Sequence, residues 1–386
     1  MNITNNIFLF AFNAKLSDGC DYATQTMSIV GASAKVFALL LGEPLTWRDI
    51  VYSRKQSSWI QRKYNSVLIR PFFIIPGQRL PWVKRANYFI NAVIIRVILA
   101  RVYPKKKKIF WFFEPWNVVP VFVALRGYTT IYDCVDYFAP LGYESRESEL
   151  YLMRHASLMT CVSESLARKL QVHRGDIRIV PLGFARATLV PPRAAPVLLN
   201  KKLVVGYMGG INYRLDYPLL LRTIRAMPEV QFIFVGPIQR NLISHEEDLM
   251  SNIQLLFSYP NVKYVGEVSK ARAMQYMTQF SVGIIPYSLK FDFNRFSYPM
   301  KLMEYFGFGL PVISTSLFEL RRFVPLLRII KNSFEFVASI KQLQRFPQPK
   351  YTVRARRAVA RVNSWENKIT AMSALIYELD ADRSLV

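Results

Sequence analysis

Lys301 and Glu304 stand three residues apart, just after Ser297-Tyr298-Pro299-Met300, in a stretch that reads as a helix closed by Gly309 and Pro311. Pro299 suits the first turn, where a missing N–H costs nothing. The spacing puts an ammonium and a carboxylate on one helical face, close to the N-terminus. A cation, a carboxylate and backbone N–H groups gathered there suit a ligand that carries phosphate and hydroxyls. A solvated i,i+3 ion pair accounts for the same two residues equally well.

Further residues with chemical potential follow predicted strands. Gly209 and Gly210 come directly after Leu203–Met208, where glycines let a backbone approach phosphates, and Arg214 offers a countercharge; an ordinary tight turn explains the glycines as well. Glu267 follows Val262–Gly266, and Tyr287 follows Val282–Pro286. All of these end on the rim that holds Lys301 and Glu304, and the convergence strengthens each. On a second rim, Thr129–Asp136 brings Asp133 and Asp136 beside Tyr132 and Tyr137. An aspartate there serves as general base if burial raises it above about 3.9, or simply caps a loop. Two aspartates three apart could hold a divalent ion, but no further ligand spacing supports a metal. His155, His173 and His245 are scattered, and Cys20, Cys134 and Cys161 form no CxxC pair, so a disulfide framework or zinc site is not expected.

The elements that must position these residues alternate. Ile7–Phe12 reads as a strand, Asp49–Ser53 as a strand, Gln56–Lys63 as a helix and Ser66–Ile75 as a strand. Arg85–Val102 has helical spacing, Ile109–Phe113 is a strand ending at Glu114, and the β-α alternation continues to Asp176–Val180. Residues 186–202 hold three prolines without periodicity and read as a linker. The second half alternates more clearly, and Trp365, Ile369, Met372, Ile376 and Leu379 form one stripe of a last helix. The expectation is an α/β protein of two Rossmann-like, doubly wound domains, 1–190 and 196–386, the second carrying the terminal helix. Ligands of such folds bind beyond the carboxyl ends of the strands.

At 386 residues, 52% hydrophobic, the chain folds rather than staying disordered. Its 51 Lys and Arg against 26 Asp and Glu, a net +25, call for an anionic partner. The basic residues Arg79, Lys84, Arg85, Arg96, Arg101 and Lys105 to Lys108 bracket an apolar helix with Trp82, Tyr88, Phe89 and Tyr103. That composition suits an anionic leaflet, or a core helix beside a solvated basic loop. No stretch has the length of a membrane span, and no signal peptide is read, so a cytoplasmic location is expected.

The second half resembles the donor-binding domain of GT-B glycosyltransferases of bacterial exopolysaccharide assembly, including the teichuronic-acid and xanthan glucuronosyltransferase types. The similar segments are Val204–Gly210, Val262–Glu267, Gly283–Tyr287 and Tyr298–Pro311. The resemblance implies that Glu304 holds the ribose hydroxyls, Met300 and Lys301 the diphosphate, and Tyr287 and Glu267 the nucleotide or sugar. Ile131–Asp136 resembles the segment ending in the catalytic aspartate, which makes Asp136 the base. The broader retaining group has a second glutamate eight positions before Glu304; Phe296 stands there, which favours inversion. The resemblance further implies two domains facing across a cleft and a terminal helix that packs back on the first. It implies a UDP-sugar donor with no metal, and a lipid-linked or polysaccharide acceptor at the inner face of the cell membrane. An epimerase of the same fold is one alternative. A basic nucleic-acid binder is another, but no RNP, KH or zinc-knuckle pattern is present and nucleic acid is not an expected partner.

Overall fold

The computed structural model describes residues 5–13, 21–52, 59–63, 65–138, 143–185, 203–239, 246–346 and 348–384. Two compact units result: Met1–Gly183 with Trp365–Val386, and Phe184–Ser364. The expected linker, 186–202, lies outside the described residues.

The first unit opens with β1 (Asn6–Phe12), α1 (Asp21–Gly31), β2 (Lys35–Leu40), α2 (Trp47–Tyr52), β3 (Ile60–Lys63) and β4 (Ser66–Ile69). It continues with α3 (Pro81–Val102), β5 (Lys107–Phe112), α4 (Val118–Ala124), β6 (Thr129–Cys134), α5 (Tyr143–His155), β7 (Leu158–Cys161), α6 (Glu164–Leu170) and β8 (Arg178–Ile179). The sheet order is β3-β4-β2-β1-β5-β6-β7-β8. Every pairing is parallel except the edge pair β3 and β4. The central strands are buried on both faces, so both alternating sets of side chains are apolar. Phe10 and Trp111 rings lie 5.3 Å apart, and Phe12 and Phe113 rings 5.5 Å apart.

The second unit runs β9 (Val204–Met208), α7 (Tyr217–Arg225), β10 (Gln231–Val235), α8 (Glu246–Ser258), β11 (Val262–Gly266), α9 (Lys270–Met277) and β12 (Val282–Ile285). Then come α10 (Asp292–Arg295), α11 (Lys301–Phe308), β13 (Val312–Thr315), a 3-10 turn (Glu319–Phe323), β14 (Arg328–Ile330), α12 (Ser333–Arg345) and α13 (Lys350–Val362). Its parallel sheet is ordered β11-β10-β9-β12-β13-β14. Strand order reverses between β9 and β12 here and between β1 and β5 in the first sheet, and folds of this kind bind ligands at such switch points.

Two early expectations are corrected. The strand expected over Asp49–Ser53 is replaced at 49–52 by helix, with Ser53 outside the described residues: residues 47–52 form α2, because the Asp49 carboxylate accepts from the Thr46 N–H and hydroxyl, both at 2.7 Å. That side-chain cap favours a helix over the apolar pattern. Residues 60–63, expected to be helical, are the edge strand β3; residues 56–58 of that expectation lie outside the described residues.

The last helix, α14 (Trp365–Ser384), expected within 196–386 but packing back on the first domain, does pack there, on α1, and its contacts make it part of the first unit. Its stripe is buried as expected at Trp365, Ile369, Met372 and Ile376. The physical reason is a buried ion pair: Lys368 Nζ lies 2.8 Å from Asp133 Oδ2, with side chains 1% and 0% exposed. The Thr160 hydroxyl donates to the same carboxylate at 2.8 Å, and Lys368 also reaches the Val180 carbonyl at 3.3 Å. Asp133 therefore anchors the terminal helix to the sheet.

Removing only the cation should strand a buried carboxylate. Lys368→Ala is expected to lower stability by about 3–5 kcal/mol, and Lys368→Met with Asp133→Leu by clearly less than the sum of the two single changes. Urea unfolding of the parent, Lys368→Ala, the two single changes and the double variant measures this, and a loss under about 1 kcal/mol for Lys368→Ala would remove the anchoring role.

Candidate functional site

The second unit's switch point is built from the loops that follow β9, β10 and β12. Gly209 donates its N–H to the Val235 carbonyl at 2.9 Å, and Ile211 bridges to Ile238, so two loops zip together just beyond the sheet. Gly236 has φ +139°, and a Cβ there would fall 2.2 Å from the Gly209 carbonyl oxygen. Gly209 has φ +137°, and its own Cβ would lie 2.7 Å from Lys301 Nζ. Glycine at both positions is what lets this backbone pack tightly against the lysine.

Lys301 opens α11 and is only 9% exposed. Its ammonium donates to the Tyr207 hydroxyl at 2.9 Å and sits 4.0 Å from the Tyr207 ring centre and 4.9 Å from that of Tyr287. Burial pulls its pKa below the usual lysine value; the neighbouring Arg214 charge adds to this, while Tyr287 and Glu304 oppose it. Arg214 approaches the Tyr287 ring at 4.5 Å and the Phe293 ring at 4.7 Å. Its Nε donates to Asn294 Oδ1 at 2.9 Å, and the buried Asn294 amide in turn donates to the Arg214 and Ser288 carbonyls. Arg214 is thus held in place on both its backbone and its side chain. Two cations converge on one tyrosine ring at the carboxyl ends of the parallel strands, an arrangement with the charge and the donors to hold an anion.

Around this centre the other expected residues take separate places. Glu304, one turn on along α11, has a side chain 13% exposed and stands 3.7 Å from Lys270 of α9. Met300 precedes the helix in helical conformation. Gly210 faces Gln239, whose side-chain oxygen accepts from Asn212 at 2.7 Å. Glu267 is exposed on the loop after β11. The structure therefore joins Gly209, Arg214, Tyr287 and Lys301 into one cluster, and sets Gly210, Glu267 and Glu304 about the same rim. Sequence reasoning passed over Tyr207, Asn294 and Lys270. Tyr207 carried a signal, an aromatic with a polar tip one residue before the end of a strand.

In the first unit, Asp136 follows β6 and is half-buried, with the Cys134 thiol 3.1 Å from its carbonyl. Cys134 also neighbours Glu149, whose carboxyl burial pushes up to about 7 against the opposing hydrogen bonds of Tyr132 and Cys134. Glu114, which follows β5 at the switch point, is a second carboxylate: the Asn13 N–H donates to it at 3.3 Å, and so does the Tyr22 hydroxyl. A cavity of about 400 Å³ on this unit is lined by Arg79, Lys84, Arg85, Trp116 and Asn117. An adjoining one of about 580 Å³ is lined by Phe89, Ile90, Val119 and Tyr151. Tyr88, expected on this surface, is instead buried with its hydroxyl donating to the Leu41 carbonyl at 2.6 Å.

Residues 202–343 match the family model described as "Glycosyl transferases group 1". The chain is 98% covered by the sucrose-phosphate synthase of Thermosynechococcus elongatus, with a TM-score of 0.75 and 14% identity over the whole of that chain. The chain has the GT-B fold and carries a group 1 glycosyltransferase domain. HepE of Anabaena, solved with UDP and glucose, is similar over 96% of this chain and 99% of its own, with a TM-score of 0.70 and 14% identity. A curated relative, the putative teichuronic acid biosynthesis glycosyltransferase TuaH of Bacillus subtilis (strain 168), is 28% identical over 226 residues. That match takes in 52% of this chain and 55% of the relative, so the chain spans about half the length of the curated relative it matches. The glycosyltransferase domain contains every residue of the Lys301 cluster.

The buried ammonium has a measurable consequence. Between the lowered folded pKa of Lys301 and the unfolded value near 10.5 the unfolded chain binds the extra proton, so this group makes stability rise with pH through that window. Lys301→Met is expected to melt at the same temperature as the parent protein or higher at pH 7, and to lack that rise. Thermal melts from pH 7 to 10.5 check both.

Proposed function

We propose that the protein transfers a sugar from a nucleoside-diphosphate sugar to a hydroxyl of a lipid-linked or polymeric carbohydrate acceptor. The observation that carries this reading is the convergence of buried Lys301 and Arg214 on Tyr287 at the β9–β12 switch point. A diphosphate placed there meets two cations and the start of α11. Glu304, one turn further on, is our choice of ribose contact, and Glu267 and Tyr287 border the nucleotide or sugar. As the bond to the anomeric carbon breaks, Lys301, Arg214 and the backbone N–H groups stabilise the departing diphosphate, a role that needs no resident metal. HepE is similar in fold and was solved with UDP-glucose, and this supports a UDP-sugar as donor.

Asp136 is our choice of general base for the acceptor hydroxyl, and Phe296, packed on Phe318 at 5.2 Å where a retaining enzyme's glutamate would stand, favours inversion. The cationic cavity of Arg79, Lys84 and Arg85 beside Trp116 suits the acceptor. The name of the Bacillus subtilis relative supports a place in the assembly of a surface polysaccharide. Among the described residues no helix is long and apolar enough to cross a membrane. We place the protein on the inner face of the cell membrane, held by basic residues of the first unit.

UDP at a hundred times its dissociation constant should stabilise the protein by about 2.7 kcal/mol, read as a rise in melting temperature. Lys301→Met should abolish that rise and Glu304→Ala should reduce it; an unchanged response in Glu304→Ala would remove the ribose assignment. A screen of UDP, GDP, ADP and CMP in which none shifts the melt would overturn the donor site.

Asp136→Asn should lower turnover by roughly 10²- to 10⁴-fold while leaving the UDP-induced shift intact. Glu114→Gln is the comparison: if it, and not Asp136→Asn, abolishes transfer in a steady-state assay, the base is Glu114.

A further inference from the structure

Tyr207 belongs to the Lys301 cluster but has no task in the transfer as described so far. It is the fourth residue of β9 and is 1% exposed. Its hydroxyl makes two hydrogen bonds: it donates to the Gly210 carbonyl at 2.9 Å and accepts from the Lys301 ammonium at 2.9 Å. A phenol has one proton, so the bond to Gly210 fixes which way the hydroxyl points and leaves its lone pairs to the lysine. One oxygen atom thus joins the loop after β9 to the first residue of α11.

Aromatic rings alone would hold the cation less closely. A ring face attracts an ammonium over a broad area, and Lys301 has two such faces, Tyr207 at 4.0 Å and Tyr287 at 4.9 Å. The hydrogen bond adds a direction. It draws Nζ against Gly209, where a Cβ would lie 2.7 Å away. A second buried tyrosine provides the contrast. Tyr305 of α11 accepts from the Met208 N–H at 2.9 Å, and its hydroxyl stands 3.5 Å from the Gly206 and Ile284 carbonyls. Those bonds fasten helix to strand through the backbone, whereas Tyr207 serves a charge.

The geometry points to Tyr207 as a positioning residue for the transfer reaction: its hydroxyl, oriented by the Gly210 carbonyl, holds the Lys301 ammonium against the glycine loop, so that cation and loop meet the departing diphosphate together. This rests on the donor site proposed above. An ammonium has three donors, so Lys301 can take the diphosphate without releasing Tyr207.

The same bond governs how far the lysine stays charged as pH rises. Arg214 faces Lys301 from the loop after β9, Tyr287 from the loop after β12 and Glu304 from its own helix, with Lys270 of α9 beside Glu304. Burial, the largest influence, and Arg214 favour the neutral amine, while Tyr287 and Glu304 favour the ammonium. Tyr207 accepts from the ammonium and so acts with the second group. Without that acceptor the proton leaves at lower pH, and affinity for an anion falls with it.

The test is calorimetric titration of UDP into the parent, Tyr207→Phe and Tyr305→Phe from pH 7 to pH 10, above the second ionisation of a phosphate at about 6. Titration of the nucleotide itself is common to all three proteins. Tyr207→Phe keeps the ring and nearly all the volume, and urea unfolding checks that both variants are folded. It should bind UDP roughly tenfold more weakly at pH 7 and lose affinity at a pH roughly one unit lower than the parent. Tyr305→Phe should follow the parent's pH curve whatever it loses in stability. A Tyr207→Phe curve that superimposes on the parent's, or an equal displacement in Tyr305→Phe, overturns the role of Tyr207 and leaves the donor site standing. A parent protein without affinity for UDP overturns the donor site and this inference together.

Discussion

A lysine with less than a tenth of its surface open to water is the constraint on which the second unit is built. Taking an ammonium out of water is costly, and the structure offsets that cost with the hydroxyl of Tyr207, the faces of two tyrosine rings and the nearby Glu304 carboxylate. Making room for it propagates outward. Gly209 must lack a Cβ because Lys301 occupies that space, and Gly236 must lack one because the Gly209 carbonyl has moved into its place. The loop after β9 then closes against the loop after β10, and Arg214 rests over the Tyr287 ring with Asn294 fixing it. Two cations held near one ring, at the place where strand order reverses, make little sense as packing and good sense as an anion site.

The first unit uses burial in the opposite way. Its buried lysine, Lys368, meets a carboxylate directly, and the pair ties the last helix to the sheet. Asp133 and Asp136 are close in sequence but differ in fate. Asp133 lies within β6 and is wholly enclosed; Asp136 stands beyond the strand's end, half open on the rim. One is spent on architecture and the other reaches solvent. The same division separates the two ends of α3, where Asn87 and Asn91 clamp the loop of Phe72 to Ile75 by paired amide bonds and leave the cations around them outside the core.

The alternation of strands and helices, the parallel sheets and the rim positions of Gly209, Tyr287 and Lys301 were determined by the sequence itself, because continuous apolar runs bounded by glycine and proline are local signals. Short segments were misread where a local cap competed with an apolar pattern, as at Thr46 and Asp49, or where an edge strand carried polar residues, as at Ile60 to Lys63. Only the tertiary structure decided who partners whom. Lys301 meets Tyr207 across 94 residues of chain, Asp133 meets Lys368 across 235, and Tyr88 turns inward to Leu41. Such pairings depend on the order of strands in the sheets, and no periodicity in the chain records that order.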